Sequence, residues 1–368
     1  ATALPLSKSE LPENLQRFGD PNAPTPAKMM AAKGLVPVKG AGLVTLLAQL
    51  AADSDAKVAE AAKGTLIELP HGVLLPAVEG ELHPAVAGAL AQHFRAREEV
   101  LERLVQSHTT PDEVIAEVAA SCSEKLSELI AINQQRLLGA PLIVEALYKN
   151  KNTRMSTADR LVELCARNGV ELTGIPSFQA HVEAIQGELI AEPTDEPLPS
   201  DTMFSEVLEE ANDEAAIDID RVDGTEELKE KFKPLSFRIR EMKTSEKLRL
   251  AIVGDGAARS ILVRDPNRLV SFAAISSPSM TVAEAAGIAH SKEIGEDILR
   301  YISNRKEWVR SYEVKRSLLF NPKTPVGIAM KFLGHLRPND LKALSRSRGV
   351  ANALKTAAKQ RLKKKGVK

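Results

Sequence analysis

A helix-start signal recurs along this chain, each time just ahead of a short apolar stripe: Thr110-Pro111-Asp112-Glu113, Ser121 to Glu124, Ser156 to Asp159, Thr281 to Glu284 and Thr324-Pro325. A hydroxyl accepts one of the unpaired amide protons of a first helical turn, and an acid three residues on, or a proline at the first helical position, completes the signal. So many starts predict many short helices. Short helices bury an apolar stripe only against their neighbours, and the architecture that does this repeatedly is an α-solenoid.

Composition supports the helical class. At 368 residues the chain is longer than one hydrophobic core usually serves, which leaves two helical bodies or one elongated array. Hydrophobic residues make up 43% and aromatics only 4%. That balance suits closely packed Ala- and Leu-rich helices rather than a β-sandwich. No run of about 20 apolar residues offers a membrane span. The opening Ala1-Thr2-Ala3-Leu4-Pro5 shows no basic segment followed by an apolar run. The expectation is a soluble cytoplasmic protein with no membrane partner. Cys122 and Cys165 are each expected inside a helix as buried free thiols.

The net charge of zero is a cancellation. Glu188 to Glu230 holds sixteen acids against Arg221 and Lys229, whereas Lys331 to Lys368 holds twelve Lys or Arg against Asp340. Partners sense such blocks rather than the total, because screening acts over about 10 Å.

Helical periodicity runs from about 42 to 187 and again from 244 to 362. Residues 1–41, rich in proline, are expected to be an irregular arm. The acidic stretch 188–243, with Pro193 and Pro197, is expected to be a largely flexible linker carrying at most a transient helix near Met203 to Leu208. Residues 363–368 form a basic tail. A sparse internal likeness, Glu124-Lys125-Leu126 against Glu246-Lys247-Leu248, leaves an internal duplication open.

The stretches Ser276-Ser277-Pro278-Ser279-Met280-Thr281-Val282-Ala283-Glu284 and Phe320-Asn321-Pro322-Lys323-Thr324-Pro325-Val326 resemble the helix-turn units of leucine-rich-variant and HEAT-like repeats. The two-module arrangement with an acidic insert is also similar to bacterial cytoplasmic proteins of no assigned activity. The resemblance implies a superhelix used for binding, with no catalytic residues to carry over.

Chemical sites are not evident. His71, His83, His93, His108, His181, His290 and His335 are scattered without metal-ligand spacing. Val253-Gly254-Asp255-Gly256-Ala257-Ala258-Arg259-Ser260 lacks the Lys-Ser/Thr ending of a phosphate loop, and a turn between helices needs glycines anyway. No cofactor is implied.

Two stretches are candidate contact surfaces. Arg300 to Arg316 contains the sole tryptophan, two of three tyrosines and six bases. Trp, Tyr and Arg dominate binding hot spots, which makes Arg305, Lys306, Trp308, Arg310, Tyr312, Lys315 and Arg316 candidates for contact with a partner protein. The competing account is that Trp308 and Tyr312, four apart on one helix face, anchor the core. The second surface is the basic end: Arg346, Arg348, Lys355, Lys359, Arg361, Lys363 and Lys364 could meet phosphates, the chain's own acidic stretch, or only solvent. The expected function is a non-enzymatic protein-protein interaction scaffold, and the alternative is a nucleic-acid- or ribosome-associated factor.

Overall fold

A computed structural model describes residues 4–364. It is all-helical apart from one small hairpin, and it divides into two compact units, up to Gly174 and from Ile175 onward. The first unit contains α1 (Glu13–Gly19), α2 (Thr25–Ala32), α3 (Gly40–Leu50), α4 (Ala56–Glu68), α5 (His71–Glu79), α6 (Pro84–His93), α7 (Glu98–Gln106), α8 (Asp112–Ala119), α9 (Glu124–Ala131), α10 (Gln134–Gly139), α11 (Pro141–Lys149) and α12 (Met155–Arg167). The second contains α13 (Phe178–Ile185), α14 (Pro199–Glu210), β1 (Ile217–Ile219), β2 (Glu226–Leu228), α15 (Lys233–Glu241), α16 (Thr244–Val253), α17 (Gly256–Leu262), α18 (Arg268–Ile275), α19 (Val282–His290), α20 (Glu296–Asn304), α21 (Tyr312–Phe320), α22 (Val326–Phe332), α23 (Pro338–Arg346) and α24 (Asn352–Lys364).

The short helices follow from the sequence locally. In α7 the acids Glu98 and Glu99 open the helix, Arg103 closes it, and Val100, Leu101, Leu104 and Val105 are buried on one stripe. After α12, Asn168 is followed by Gly169 at φ +68°, the left-handed conformation that a glycine adopts cheaply at a helix end. Only one of the five start signals forms the full reciprocal cap: the Thr281 hydroxyl accepts from the Glu284 amide at 3.2 Å, and the Glu284 carboxylate accepts the Thr281 amide at 2.8 Å. Elsewhere the boundary shifts. Ser123 rather than Ser121 caps α9, and α12 begins at Met155, ahead of Ser156. Pro111 and Pro325 sit just outside α8 and α22, so the Thr110 and Thr324 hydroxyls are buried without a hydrogen-bond partner among the described residues. Cys122 lies in the turn between α8 and α9, not in a helix; Cys165 lies in α12, and both are buried free thiols.

Packing runs between helices two apart in sequence. In the first unit α3 meets α5, α5 meets α7 and α7 meets α9, while α6 meets α8. In the second, α16 meets α18, α18 meets α20, α19 meets α21 and α21 meets α23. Other strong packings join helices one or three apart, as α23 with α24, α3 with α4, α8 with α11 and α13 with α16.

The flanking stretches are folded. Residues 4–41 are not an irregular arm: they carry α1 and α2 and bury Leu6, Leu11 and Leu15. The Leu6 amide and carbonyl both bond the Gln49 side chain, at 2.9 and 2.8 Å, and buried Lys28 pairs with buried Asp53 at 2.8 Å. Residues 188–243, expected as a flexible linker, belong to the second unit. There α14 buries Phe204 and Val207, and the fully buried Arg249 guanidinium lies 5.0 Å from the Phe204 ring centre. The antiparallel pair β1–β2 places Ile217 opposite Leu228. Its turn is tied down by the Lys292 amide, which donates to the Gly224 carbonyl at 3.1 Å. Gly224 is required there: φ is +72°, and a Cβ would stand 2.7 Å from the His290 carbonyl oxygen. The average acidity of the stretch conceals its few inward apolar residues, which is why composition alone suggested disorder.

Candidate functional site

The aromatic and basic segment Arg300 to Arg316 is not one helix. It crosses the end of α20, a 3-10 turn at Trp308–Arg310 and the start of α21, with Ser311 in extended backbone between them. Trp308 and Tyr312 therefore do not share a helix face. Trp308 is 8% exposed, as the core-anchor account expects. Its ring meets Tyr301 edge-on at 6.0 Å, and Tyr301 meets Phe272 edge-on at 6.1 Å, an arrangement aromatic quadrupoles favour. Exposed Arg305 lies over both, 4.8 Å from the Tyr301 centroid and 5.9 Å from that of Trp308.

Tyr312 and Arg316 are also engaged within the fold. The Tyr312 hydroxyl donates to Asp340 on α23, Arg316 Nε donates to the other Asp340 oxygen at 3.0 Å, and the Arg337 guanidinium lies 4.5 Å from the Tyr312 ring centre. Burial raises the Asp340 carboxyl pKa, but these two hydrogen bonds and the charges of Arg316 and Arg337 overcome it, so the net direction is down. Burial, then the bond to Asp340, pushes the Tyr312 phenol up. Of the first candidate set, Arg305, Lys306 and Arg310 remain exposed, and Lys315, half-buried, reaches the Arg310 carbonyl at 3.4 Å.

The second candidate set is brought together at the end of the second unit. α24 packs Leu354 and Ala358 onto Leu319, Ala329, Leu333, Leu336, Leu341, Leu344 and Val350. Arg346, Arg348, Lys359, Arg361, Lys363 and Lys364 are exposed, and Lys355 is half-buried. No Asp or Glu occurs between Leu341 and Lys364. Among the described residues none of these seven cations has an acid within ion-pairing distance. The acidic stretch pairs instead with nearer bases. Glu188 pairs with Lys243, Glu206 and Glu210 with Arg238, Glu226 with Arg264, and Glu214 with Lys229 and Lys231. Hydrogen bonds from those two lysines hold the Glu214 carboxyl down at about 2.

The glycines at 254 and 256 serve packing. A Cβ on Gly256 would stand 2.5 Å from the Asp213 carbonyl oxygen, and the Ala257 amide in the first turn of α17 already donates to the Asn212 carbonyl at 2.8 Å. The Cys122 and Cys165 thiols are pushed up to about 11 by burial, which leaves them poor nucleophiles at neutral pH. An apolar cleft of about 190 Å³ in the first unit is lined by Val105, Ile115, Leu129, Ile130, Ile132 and Leu137 among others. Arg136 borders it, but its Nε pairs with Asp112 at 2.7 Å and its other nitrogens bond the Ser107 and Thr110 carbonyls. Among the described residues no group of three or more His, Cys, Asp or Glu could hold a metal ion, and no helix is long and apolar enough to cross a membrane.

Sequence reasoning missed one recurring device. Asn150 Nδ2 donates to the Ala119 and Cys122 carbonyls at 2.9 and 3.0 Å, and Asn321 Nδ2 donates to the Ala289 and Ser291 carbonyls at 2.8 and 2.7 Å. In both turns the Asn is followed three residues later by Thr, a spacing visible in the sequence at Asn150/Thr153 and Asn321/Thr324. No family model, curated protein or solved structure matches the chain.

Proposed function

We propose that this protein is a non-enzymatic interaction scaffold whose two units are each α-solenoid stacks. The observation that carries this reading is the sequence spacing of the polar ties between helices. Asp112–Arg136, Glu124–Arg154, Glu128–Arg160, Ala119–Asn150, Glu284–Arg259, Ala289–Asn321, Glu293–Lys323 and Asp340–Arg316 join residues 24 to 32 apart. That spacing is about one helix pair. Interactions confined to adjacent pairs define a quasi-one-dimensional stack, which exposes a long surface relative to its volume. The two free thiols suit a reducing compartment, and we assign the cytoplasm.

The scaffold's partner surface on this reading is the exposed edge formed by Arg305, Lys306 and Arg310, held rigid by the Phe272–Tyr301–Trp308 stack beneath it. A pull-down with the full chain, treated with nuclease and washed in high salt, is expected to retain a protein partner. Lys306→Glu/Arg310→Glu is expected to release it with helicity unchanged. A partner indifferent to that double substitution overturns the assignment of the edge, and turnover of a substrate by the purified chain overturns the non-enzymatic reading.

The second reading, association with nucleic acid or the ribosome, is favoured by one specific observation: seven clustered cations at α23–α24 without acid partners among the described residues.

A further inference from the structure

We infer that the face formed by the end of α23, the following turn and α24 docks on the phosphate backbone of double-stranded DNA, without reading base sequence. The inference rests on the second reading above and narrows it to one ligand. Three features of the face select a regular duplex backbone over a protein, a single strand or a lipid surface.

The first is uncompensated charge. Asp340 is the sole acid from Lys331 to Lys364, and Tyr312 and Arg316 already occupy its carboxylate. Arg346, Arg348, Lys359, Arg361, Lys363 and Lys364 therefore project positive charge with no acid at ion-pairing distance among the described residues. Lys355, Lys359 and Lys363 fall four residues apart, so they line one side of α24 at steps of about 6 Å. Lys364 adds charge farther round the helix, Arg361 projects from another side with its guanidinium beside Gly334, and Arg346 and Arg348 lie at the end of α23 and in the turn. Arg361, Lys363 and Lys364 sit in the last turn of α24 and Arg346 in the last turn of α23, where the backbone dipole stabilises them without neutralising them.

The second is the absence of an apolar or aromatic anchor. No Phe, Tyr or Trp occurs between Leu333 and Lys364, where His335 is the one ring. Among the described residues no large hydrophobic side chain beyond Met330 is exposed. A protein partner of comparable charge gains most of its affinity from buried apolar and aromatic hot spots, which this face does not offer. Single-stranded nucleic acid and looped RNA are held by stacking bases on aromatic rings, which it also lacks. Counterion release from a regular duplex needs only cations.

The third is that the apolar side of α24 is already used. Leu354 and Ala358 are 3% and 0% exposed against the cluster around Leu341 and Leu344, with Ala357 and Leu362 packed beside them. Insertion into a bilayer would require this helix to leave its core, so an anionic lipid surface is the weaker candidate.

The test is fluorescence anisotropy of a labelled 20-base-pair DNA duplex of arbitrary sequence, titrated with the full chain across a range of salt. Four to five phosphate contacts predict a log–log salt slope of about −4, hence an affinity loss of about 250-fold between 50 and 200 mM salt. A second duplex of unrelated sequence is expected to bind equally. Lys359→Ala/Lys363→Ala/Lys364→Ala, all at exposed positions, is expected to reduce the slope by about 2.7, and the corresponding triple Lys→Arg variant to retain it. The inference is overturned by no binding at 50 mM salt, by tighter binding to the single strand or to duplex RNA, by binding to polyglutamate or phosphatidylglycerol vesicles in place of the duplex, or by a slope indifferent to the triple alanine variant. Binding to RNA or ribosomes with none to duplex DNA would leave the second reading standing while removing this one, and loss of all nucleic-acid contact would remove both.

Discussion

Asn321 and Asn150 show what a single side chain contributes between adjacent helix pairs. Each amide donates to one carbonyl in the last turn of an earlier helix, Ala289 of α19 or Ala119 of α8, and to a second in the turn that follows it, all in buried residues. Removing the Asn321 donor takes the side-chain partner from the Ala289 and Ser291 carbonyls, whereas Cys122 would still accept from Asn152 Nδ2 at 2.9 Å. Asn321→Ala is therefore expected to cost about 2–3 kcal/mol, read as a lowered urea midpoint; a change below about 0.5 kcal/mol would show the bonds to be replaceable. Asp340 makes a pH-dependent contribution of definite sign. Its folded pKa lies below its unfolded value, so the stability it adds is fully present above the ordinary carboxylate range. That stability is lost as pH falls through the lowered folded value. The stability difference between the parent protein and Asp340→Asn is expected to shrink steadily as pH drops from 6 toward 3, and a difference that grows on acidification would contradict the assignment.

At the scale of the element, α24 is held by few apolar groups and loaded with like charge. Leu354 is its deepest large side chain, placed on the cluster formed by α22, α23 and the 3-10 turn at Leu333–His335. Leu354→Ala is expected to cost about 2–4 kcal/mol locally, with faster amide hydrogen exchange throughout Asn352–Lys364 and little change in α16 or α18. Exchange rising equally in all helices would mean that the second unit opens as one body. The acidic stretch makes the complementary point. Its acids are numerous, but Phe204, Val207 and Ala216 point inward and Arg264 grips Glu226, so the element folds despite its composition. A Gly224→Ala substitution tests that docking, since the new Cβ would meet the His290 carbonyl. Its expected effect is faster exchange across β1–β2 with the helices unaffected, and unchanged exchange there would remove the role assigned to the close approach.

At the scale of the whole chain, each unit builds its contacts from neighbours in sequence. All-helical class, the abundance of short helices, the buried thiols and the charge blocks were legible in the residues, because apolar spacing of three and four, proline and glycine punctuation and charge content act locally. Tertiary packing decided the rest. It made Thr281 a cap while leaving Thr110 and Thr324 buried outside their helices, since a proline in the next position shifts where the first turn begins. It turned Trp308 inward against Tyr301 and committed Tyr312 and Arg316 to Asp340, contacts between helices that no spacing within one segment encodes. It also folded residues 4–41 and 188–243 into the two units, because the partners that order them, Gln49, Asp53, Arg249 and Lys292, lie far along the chain. The cations of α24 were countable from sequence, but whether an acid would answer them depended on where the acidic stretch packed. Among the described residues Glu206, Glu210, Glu214 and Glu226 meet bases outside α24 and none of the seven cations has an acid at ion-pairing distance, which leaves that face positive.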